Sequence, residues 1–364
     1  MASTIPTAAK AWRYPPTEPS LWDSYHSLEL RDIEVPLPGK GEILVKIHAV
    51  SLNRHQGHSI GGPLTMGPDG KGLIPTSDGA GEVVAVGEGV NKWVVGDRVR
   101  SLFNELWATG QMQRVLARTT RIRHAGLFDS VSVSDLASVN KEAATIPCAG
   151  ITAFNALFES ANTTQDSTVL VLGSGGVSVY AAQFAKAIGA TVIATTSSKE
   201  KIQKYNDLGV DHVINYRDTP GWAQEVKRLT GGKGVDQVLE IGGNGTLMEA
   251  IKSVKWKGMV HIIGPPETPE YSMFELAFAI IGSEARVSIM SVLIHQVMLS
   301  SIRVQLNGIA TGGKDIAERL DSFISRHKIK PLVDPRIFEW TEAKDAFQYL
   351  DKGSHFGKVV IKVD

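Results

Sequence analysis

The chain has 364 residues, enough for two domains or for one domain with a long insertion. Lys plus Arg and Asp plus Glu each total 38, and a formal net charge of +0 gives no electrostatic reason to expect nucleic acid or an anionic membrane as partner. The single cysteine, Cys148, excludes an internal disulfide and a four-cysteine zinc site, and it favours a reducing compartment.

Neither of the two segments that could address the chain to a membrane has the required pattern. The first 22 residues, "MASTIPTAAKAWRYPPTEPSLW", contain prolines and charges but no apolar core, so they do not predict a secretory signal. The most apolar stretch, residues 273–299, is interrupted by charged side chains and falls short of a membrane span. We therefore expect a cytoplasmic protein.

Residues 42–99 are rich in valine and punctuated by glycine. The runs "GEILVKIHAVSLN", "GAGEVVAVGEGV" and "GDRV" are short, contain β-branched residues and end at turn-forming residues. Such runs are typical of strands in an antiparallel β-domain.

After Cys148 the pattern changes to alternating strands and helices. Predicted strands are "STVLVLGS", "ATVIATT", "GVDHVINY", "VDQVLEIGG" and "MVHIIG", and predicted helices are "VSVYAAQFAKAIG", "GWAQEVKRLTGG" and "TLMEAIKSVKWKG". This alternation predicts right-handed crossovers and a doubly wound parallel sheet covered on both faces. Residues 303–313 are predicted to close the sheet, and "DIAERLDSFISRHKIKP" is predicted to be a helix.

The first strand of this series leads into the glycine turn "GSGGVS", which precedes a helix. Gly173 allows a tight turn, and Gly175 lets the backbone approach a pyrophosphate at the helix N-terminus. Ser178 stands where Gly or Ala is usual, which predicts slightly looser helix–strand packing. The turn indicates a dinucleotide site; the alternative is an ordinary strand-to-helix turn.

The second strand ends in "IATTSSKEK", with no acid before Glu200. An NAD-selective site has a carboxylate there, which accepts hydrogen bonds from the adenosine ribose and would repel a 2′-phosphate. Hydroxyl groups together with Lys199 and Lys201 suit a phosphate instead, so the sequence predicts NADPH as cofactor. The alternative is that both lysines are solvated charges on a helix surface.

Several segments occur in an order that resembles the medium-chain dehydrogenase/reductase superfamily, specifically its zinc-free, quinone-oxidoreductase-like branch. Examples are "PLPGKGEILVKIHAVSLN", "EAATIPCAGITAFNAL", "LTGGKGVDQVLEIGG" and "FGKVVIKV", and together the matching segments span almost the whole chain. The resemblance implies a β-rich, GroES-like catalytic domain formed by residues 1–148 and 312–364. It also implies an inserted Rossmann domain of the α/β class that binds NADPH, residues 149–311, with the substrate cleft at the junction.

The resemblance also implies which residues line the cofactor and how the chain assembles. Ser197, Lys201 and Tyr216 are expected beside the adenosine 2′-phosphate. The full expected set is Thr152, Gly173, Gly175, Gly176, Val177, Ser197, Lys201, Tyr216, Gly242, Ile263 and Lys358. A homodimer is expected to form through the last Rossmann strand, residues 303–310.

Zinc-dependent relatives hold the metal with Cys, His and Cys, and the resemblance places Asn53, Ser77 and Cys148 at those positions here. Asp78 stands where zinc enzymes have a glutamate, and Asp78 and His55 could in principle supply further ligands. Asn and Ser are poor zinc ligands, so we expect no catalytic metal. Cys148 is expected to be a small buried residue beside the nicotinamide.

Without a Lewis acid, hydride transfer from NADPH to the β-carbon of an enone, enal or quinone is favoured over oxidation of an alcohol, which needs an alkoxide. Asn53 could bind the substrate oxygen or the nicotinamide ribose, and Asp78 belongs to the same candidate catalytic group. His55 and His58 stand where zinc enzymes carry proton-relay groups and could return the proton. Alternatively, both histidines only line the cleft and solvent supplies the proton.

Residues 102–140 match the family least, and their arginines and histidines either bind an acidic or oxygen-rich substrate or form a solvated helix face. The substrate is a small molecule that the sequence does not identify. Two other functions stay open: an NADPH-dependent carbonyl reductase or alcohol dehydrogenase, and a non-redox biosynthetic or structural protein that retains the NADPH-binding fold.

Overall fold

The structure is a computed structural model that describes residues 5–18, 21–53, 70–103, 140–263, 286–289 and 311–363. It divides into two compact units, one formed by Met1–Ile151 with Gly312–Asp364 and the other by Thr152–Thr311. The second unit is therefore inserted, along the chain, between the two parts of the first. The division expected from the sequence falls after residues 148 and 311.

Thirteen strands and eight α-helices are found in the described residues. The strands are β1 Ala8–Arg13, β2 Glu29–Glu34, β3 Ile43–Ser51, β4 Asp78–Val86, β5 Arg98–Arg100, β6 Thr168–Leu172, β7 Thr191–Thr196, β8 His212–Asn215, β9 Val235–Glu240, β10 Val254–Ile262, β11 Arg286–Ile289, β12 Val333–Glu339 and β13 Lys358–Lys362. The helices are α1 Asn140–Ala144, α2 Ile151–Phe154, α3 Gly176–Ala187, α4 Lys199–Asp207, α5 Trp222–Leu229, α6 Leu247–Ser253, α7 Lys314–His327 and α8 Ala343–Asp351. Short π-helical turns lie at Ile146–Gly150 and Asn155–Glu159, and 3₁₀ turns at Ser24–Ser27, Gly243–Gly245 and Trp340–Glu342.

The first unit contains the β-domain predicted from the valine-rich runs. Its main sheet has the order β12-β13-β3-β4-β5, in which only the β12–β13 pair is parallel. The first and last parts of the chain meet in this sheet because β13 pairs with β3. Gly81 is required where β3 and β4 approach, since a Cβ there would collide with the carbonyl oxygen of Lys46.

The second unit contains a parallel sheet of order β11-β10-β9-β6-β7-β8. Counted from β6 as the first strand, this is the Rossmann order 3-2-1-4-5-6 read in reverse. The strand order reverses between β6 and β9, and ligands bind such sheets in the crevice at the carboxyl ends of these strands. The predicted fold class, a doubly wound Rossmann sheet inserted into a GroES-like unit, is confirmed.

Two elements differ from the sequence-based expectation. The helix predicted over "TLMEAIKSVKWKG" ends at Ser253, and β10 begins at Val254. The backbone leaves the helical conformation at Val254, whose φ of −74° and ψ of 153° are those of an extended strand. The strand Arg286–Ile289, which pairs with β10, was not predicted, because "RVSI" is too short to show a period. The predicted closing strand, residues 303–313, falls almost wholly outside the described residues.

In the parts of the chain that the structure covers, no helix combines the length and the apolarity needed to cross a membrane.

A buried ion pair joins β5 to α7, and thus the first part of the chain to the last. Arg100 is fully buried, and its Nη2 donates to Asp321 Oδ1 at 2.7 Å. Burial raises the pKa of Asp321, while the guanidinium of Arg100 acts in the opposite direction. Arg100 therefore belongs to the core of this unit and not to a charged substrate surface.

Replacing Arg100 by methionine should lower the free energy of unfolding by about 3 kcal/mol, because Asp321 is left without its cation in a mostly buried site. Urea denaturation measures this change. The exposed Arg326 lies on the same helix as Asp321, so Arg326→Met serves as the matched control and should change stability by no more than about 0.5 kcal/mol. Equal stability of the two variants would contradict the assignment.

Candidate functional site

The glycine turn joins β6 to α3 at the carboxyl edge of the parallel sheet. Gly173 has φ +69°, a conformation that favours glycine, and α3 begins at Gly176 directly after it. A Cβ placed on Gly175 would meet no atom of the described residues within 4 Å, its chain neighbours apart, so these residues leave the space in front of the helix N-terminus open. The N–H groups of the first helical turn have no intrahelical acceptor and can bind an anion there.

Three side chains from the sheet and its helices fix the shape of this turn. Tyr205 is fully buried, and its hydroxyl donates to the carbonyl oxygen of Gly173 at 2.6 Å. The amide of Gly173 lies 3.4 Å from Thr195 Oγ1. Ser178 is also fully buried and donates to the carbonyl oxygen of Leu172 at 2.6 Å. The serine at the third position of the fingerprint thus closes the turn with a hydrogen bond, a role that the expectation of looser packing did not include.

The end of β7 presents hydroxyl groups, as its sequence indicates. Thr196 is 1% exposed, and its Oγ1 has no hydrogen-bond partner among the described residues. Ser197 follows it and is half-buried. Ser198 caps α4 by accepting from the amide of Lys201 at 3.3 Å. Tyr216, which is 38% exposed, lies beside this strand end because its amide donates to the carbonyl oxygen of Thr196.

The lysines of α4 have three different environments. Lys199 is exposed to solvent, and Lys204 forms an ion pair with Glu200 at 2.7 Å. Lys201 is only 8% exposed, although it lies in the first turn of the helix. A solvated charge on the helix surface describes Lys199, but it does not describe Lys201.

Glu240, at the end of β9, is a site residue that sequence reasoning missed. Its Oε1 accepts hydrogen bonds from the amides of Gly242 and Gly243, at 2.6 and 2.9 Å, and from Thr246 Oγ1 at 2.7 Å. Burial raises the pKa of this carboxyl group, while the three hydrogen bonds act in the opposite direction. Glu240 thereby fixes the loop that contains Gly242. The sequence signal that could have identified this role is the charge of Glu240, which directly follows the apolar residues Val238 and Leu239.

Four strand ends therefore meet at one edge of the second unit. Parallel strands place their carboxyl ends on the same side, so the residues after β6, β7, β9 and β10 line one crevice. Ile263 follows β10, is buried, and donates its amide to the carbonyl oxygen of Glu240 at 2.7 Å. Val177 is half-buried in the first turn of α3. Thr152 is 1% exposed, and its Oγ1 finds no partner among the described residues.

A second cluster lies in the first unit, around the ammonium group of Lys358. This side chain is buried, and its Nζ donates to Asn53 Oδ1 at 2.6 Å and to the carbonyl oxygen of Leu52 at 2.7 Å. Asp78 Oδ2 lies 3.5 Å from the same nitrogen. The expected cofactor residue Lys358 and the expected catalytic residues Asn53 and Asp78 are thus in direct contact.

Other groups of the first unit complete the environment of Asp78, which is fully buried. Ser77 Oγ donates to Asp78 Oδ1 at 2.6 Å. Ser51 Oγ lies 3.3 Å from Asp78 Oδ2 and 2.9 Å from the carbonyl oxygen of Ala144. The backbone amide of Cys148, in the π-helical turn, donates to Asp78 Oδ2 at 3.3 Å. His55 and His58, the expected proton donors, lie outside the described residues.

The donor chemistry of this cluster does not fit a tetrahedral zinc ion. Burial, together with the charge of Asp78, raises the pKa of the Cys148 thiol, with Lys358 acting in the opposite direction. A cysteine binds zinc as the thiolate, and the other two positions that the resemblance aligns with zinc ligands hold Asn53 and Ser77. Ser77 donates to Asp78, and Asn53 Oδ1 accepts from an ammonium. The described residues contain no group of three or more His, Cys, Asp or Glu side chains arranged to hold a metal.

The native protein should resist labelling by a thiol reagent at pH 8, because Cys148 is buried and its raised pKa keeps the thiol protonated. A disulfide reagent with a coloured leaving group measures the reaction, and the same protein unfolded in guanidinium chloride is the control. Since the chain has one cysteine, the unfolded protein should release one equivalent. Rapid labelling of native protein would contradict this account and would make Cys148 available as a metal ligand.

Comparison with protein families adds independent evidence. Residues 39–142 match the model described as alcohol dehydrogenase GroES-like domain, and residues 176–298 match the one described as zinc-binding dehydrogenase. A zinc-type alcohol dehydrogenase-like protein of Schizosaccharomyces pombe is 33% identical over 355 residues, which cover 93% of this chain and 96% of that protein. The chloroplastic NADPH-dependent alkenal/one oxidoreductase of Arabidopsis thaliana is 27% identical over 363 residues, covering 99% and 81%.

Comparison with solved structures supports the same fold. The crystal structure of Escherichia coli quinone oxidoreductase complexed with NADPH is similar with a TM-score of 0.71 and 20% sequence identity, covering 98% of this chain and 100% of that one. At this identity the likeness shows the fold alone. The sequence match to the yeast protein over almost its whole length goes further. The chain belongs to the medium-chain dehydrogenase/reductase superfamily and is an oxidoreductase of that family.

Proposed function

We propose that this protein is a zinc-independent reductase that uses NADPH to reduce the activated C=C bond of an enone or enal, or a quinone. The observation that carries the proposal is the cluster around Lys358, whose buried ammonium contacts Asn53, at a position that the resemblance aligns with a zinc ligand, and Asp78, which stands where zinc enzymes have a glutamate. The name of the plant relative, an alkenal/one oxidoreductase, supports the same reaction class.

The residues at the carboxyl edge of the second unit fit NADPH. The open space at Gly175 and the N-terminus of α3 suit a pyrophosphate, and the buried hydroxyl of Thr196 can bind the adenosine ribose. The position of Lys201 supports a binding site for the 2′-phosphate of NADPH. A cation in the first turn of a helix opposes the helix dipole, so its buried position there favours an anionic ligand close by.

The same donor set favours reduction of a conjugated substrate. Oxidising an unactivated alcohol requires an alkoxide, which a Lewis acid makes accessible near neutral pH. When bound, NADPH supplies the hydride for the β-carbon of the double bond. The charge that develops then spreads to the conjugated oxygen, where a hydrogen-bond donor such as the Asn53 amide can stabilise it. A proton at the α-carbon completes the addition, from His55, His58 or solvent.

A second candidate is reduction of a carbonyl group, which the name of the yeast relative favours. In that reaction the hydride would reach the carbonyl carbon and the product would be an alcohol. The two reactions add the same atoms to an enone and give isomers of equal mass, a saturated ketone or an allylic alcohol, so the position of the added hydride separates them. The single cysteine, which favours a reducing compartment, leads us to propose a cytoplasmic enzyme. The homodimer through residues 303–310 stays a prediction because that segment lies outside the described residues.

Incubation with an enone and NADPH carrying deuterium at the transferred position should consume NADPH in a 1:1 ratio with product and place the deuterium at the β-carbon of a saturated ketone. Nuclear magnetic resonance of the product locates the label. Deuterium on a carbinol carbon would overturn the proposal in favour of the carbonyl reductase. Tight NADPH binding without consumption, tested with enones, enals and quinones, would favour a non-redox role.

Replacing Lys201 by alanine should weaken NADPH binding by about 10- to 100-fold, the range expected for loss of a charge-assisted hydrogen bond, and should change NADH binding by less than about twofold. Calorimetric titration with both cofactors gives the two ratios. Lys204→Ala is the matched control, because Lys204 lies on the same helix and pairs with Glu200. Equal losses for NADPH and NADH in Lys201→Ala would contradict the phosphate assignment.

A further inference from the structure

We propose that Lys358 is a positioning residue whose buried ammonium takes the place of the catalytic metal ion and fixes the side-chain amide of Asn53 with its NH₂ group as donor. This inference rests on the zinc-independent chemistry proposed above and adds a specific role for one residue. The family resemblance implied that Lys358 lines the cofactor, and the contacts of its ammonium given above lie within the first unit.

The contacts of Lys358 connect three strands. Lys358 begins β13, and its Nζ meets Leu52 and Asn53 just after β3 and Asp78 at the start of β4. An ammonium has three N–H donors, and three oxygen atoms lie around this one. The arrangement resembles the way in which a metal ion holds ligands from separate segments, with carbonyl, amide and carboxylate oxygens as the ligands.

The charges in this cluster disfavour the binding of a divalent cation. Lys358 and Asp78 are 3% and 0% exposed, and together they carry no net charge. A divalent ion at this site would lie beside a fixed ammonium in a buried region, where like charges repel strongly. Removing the ammonium should therefore create a cation site.

The short contact also fixes the orientation of Asn53. Amide oxygen and nitrogen cannot be told apart by shape, but an ammonium only donates hydrogen bonds. The atom 2.6 Å from Lys358 must therefore be Oδ1, which turns the Nδ2 group away from Lys358. Donation to the oxygen also polarises the amide, so that its N–H bonds become stronger donors. Lys358 would thus act on the substrate oxygen through Asn53.

The first experiment uses Co²⁺ as a spectroscopic probe of the site. Lys358→Met should bind Co²⁺ at least about tenfold more tightly than the wild-type protein, because Asp78 then lacks its cation. The matched control is Lys358→Met/Asp78→Asn, which removes both charges and should bind Co²⁺ no better than wild type. This double variant should also unfold at a higher temperature than the single variant. No gain of affinity in Lys358→Met, or tight binding by wild type, would overturn the proposal.

The second experiment tests whether Lys358 acts through Asn53. Lys358→Met/Asp78→Asn should lower kcat about 10- to 100-fold, the range for loss of an oriented donor, while NADPH affinity changes by less than about threefold. In an Asn53→Ala background, the same two substitutions should lower kcat no further. A purely structural role would lower kcat by a similar factor in both backgrounds, and that result would overturn the proposal.

The Co²⁺ titration can refute the role of Lys358 independently of the proposed function, because it requires no turnover. The double variant remains testable if Lys358→Met does not fold, since it buries no unpaired charge. An absence of wild-type turnover with enones, enals and quinones would refute the proposed function, whereas the Co²⁺ titration would still decide whether the ammonium occupies a cation site.

Discussion

The cost of burying a charge accounts for several contacts within each of the two units. An ionised side chain that leaves water needs a counter-charge or several hydrogen bonds. Arg100 meets this requirement with Asp321, and Lys358 meets it with Asp78 and two neutral oxygens. Glu240 meets it with three donors from its own loop. In each case the chemistry of the partner fixes a turn or joins distant parts of the chain.

The same constraint connects structure to function. In the first unit, the ammonium of Lys358 and the carboxylate of Asp78 compensate each other, and in the proposed mechanism the amide of Asn53 acts on the substrate. In the second unit, the parallel strands bring a glycine turn, hydroxyl groups and Lys201 to one edge. These are the features on which the proposal of NADPH-dependent reduction rests.

The sequence predicted most of the second unit, because its signals are local. Apolar runs alternating with helical periods identify β6 to β10, and the positive φ of Gly173 follows from the glycine turn. The predicted end of α6 was wrong, because nothing in "SVKWKG" signals that the backbone becomes extended at Val254. The closing hydrogen bond of Ser178 depends on tertiary packing, so the fingerprint alone could not show it.

The cluster in the first unit was only partly accessible from sequence. The resemblance to a family identified Asn53 and Asp78 as candidates, but Lys358 lies 280 residues after Asp78 and no local pattern connects them. Glu240 was missed for a related reason, since its role depends on the loop that folds back onto it. His55 and His58 lie outside the described residues, and their assignment as proton donors stays a prediction.

The most direct test of this account is calorimetric titration of the purified wild-type protein with NADPH and with NADH, combined with elemental analysis of the same sample. We expect protein without stoichiometric zinc that binds NADPH at least about tenfold more tightly than NADH, a difference of about 1.4 kcal/mol. One equivalent of zinc per chain, or a preference for NADH, would contradict the account and would make zinc-dependent alcohol dehydrogenation the better proposal for the function.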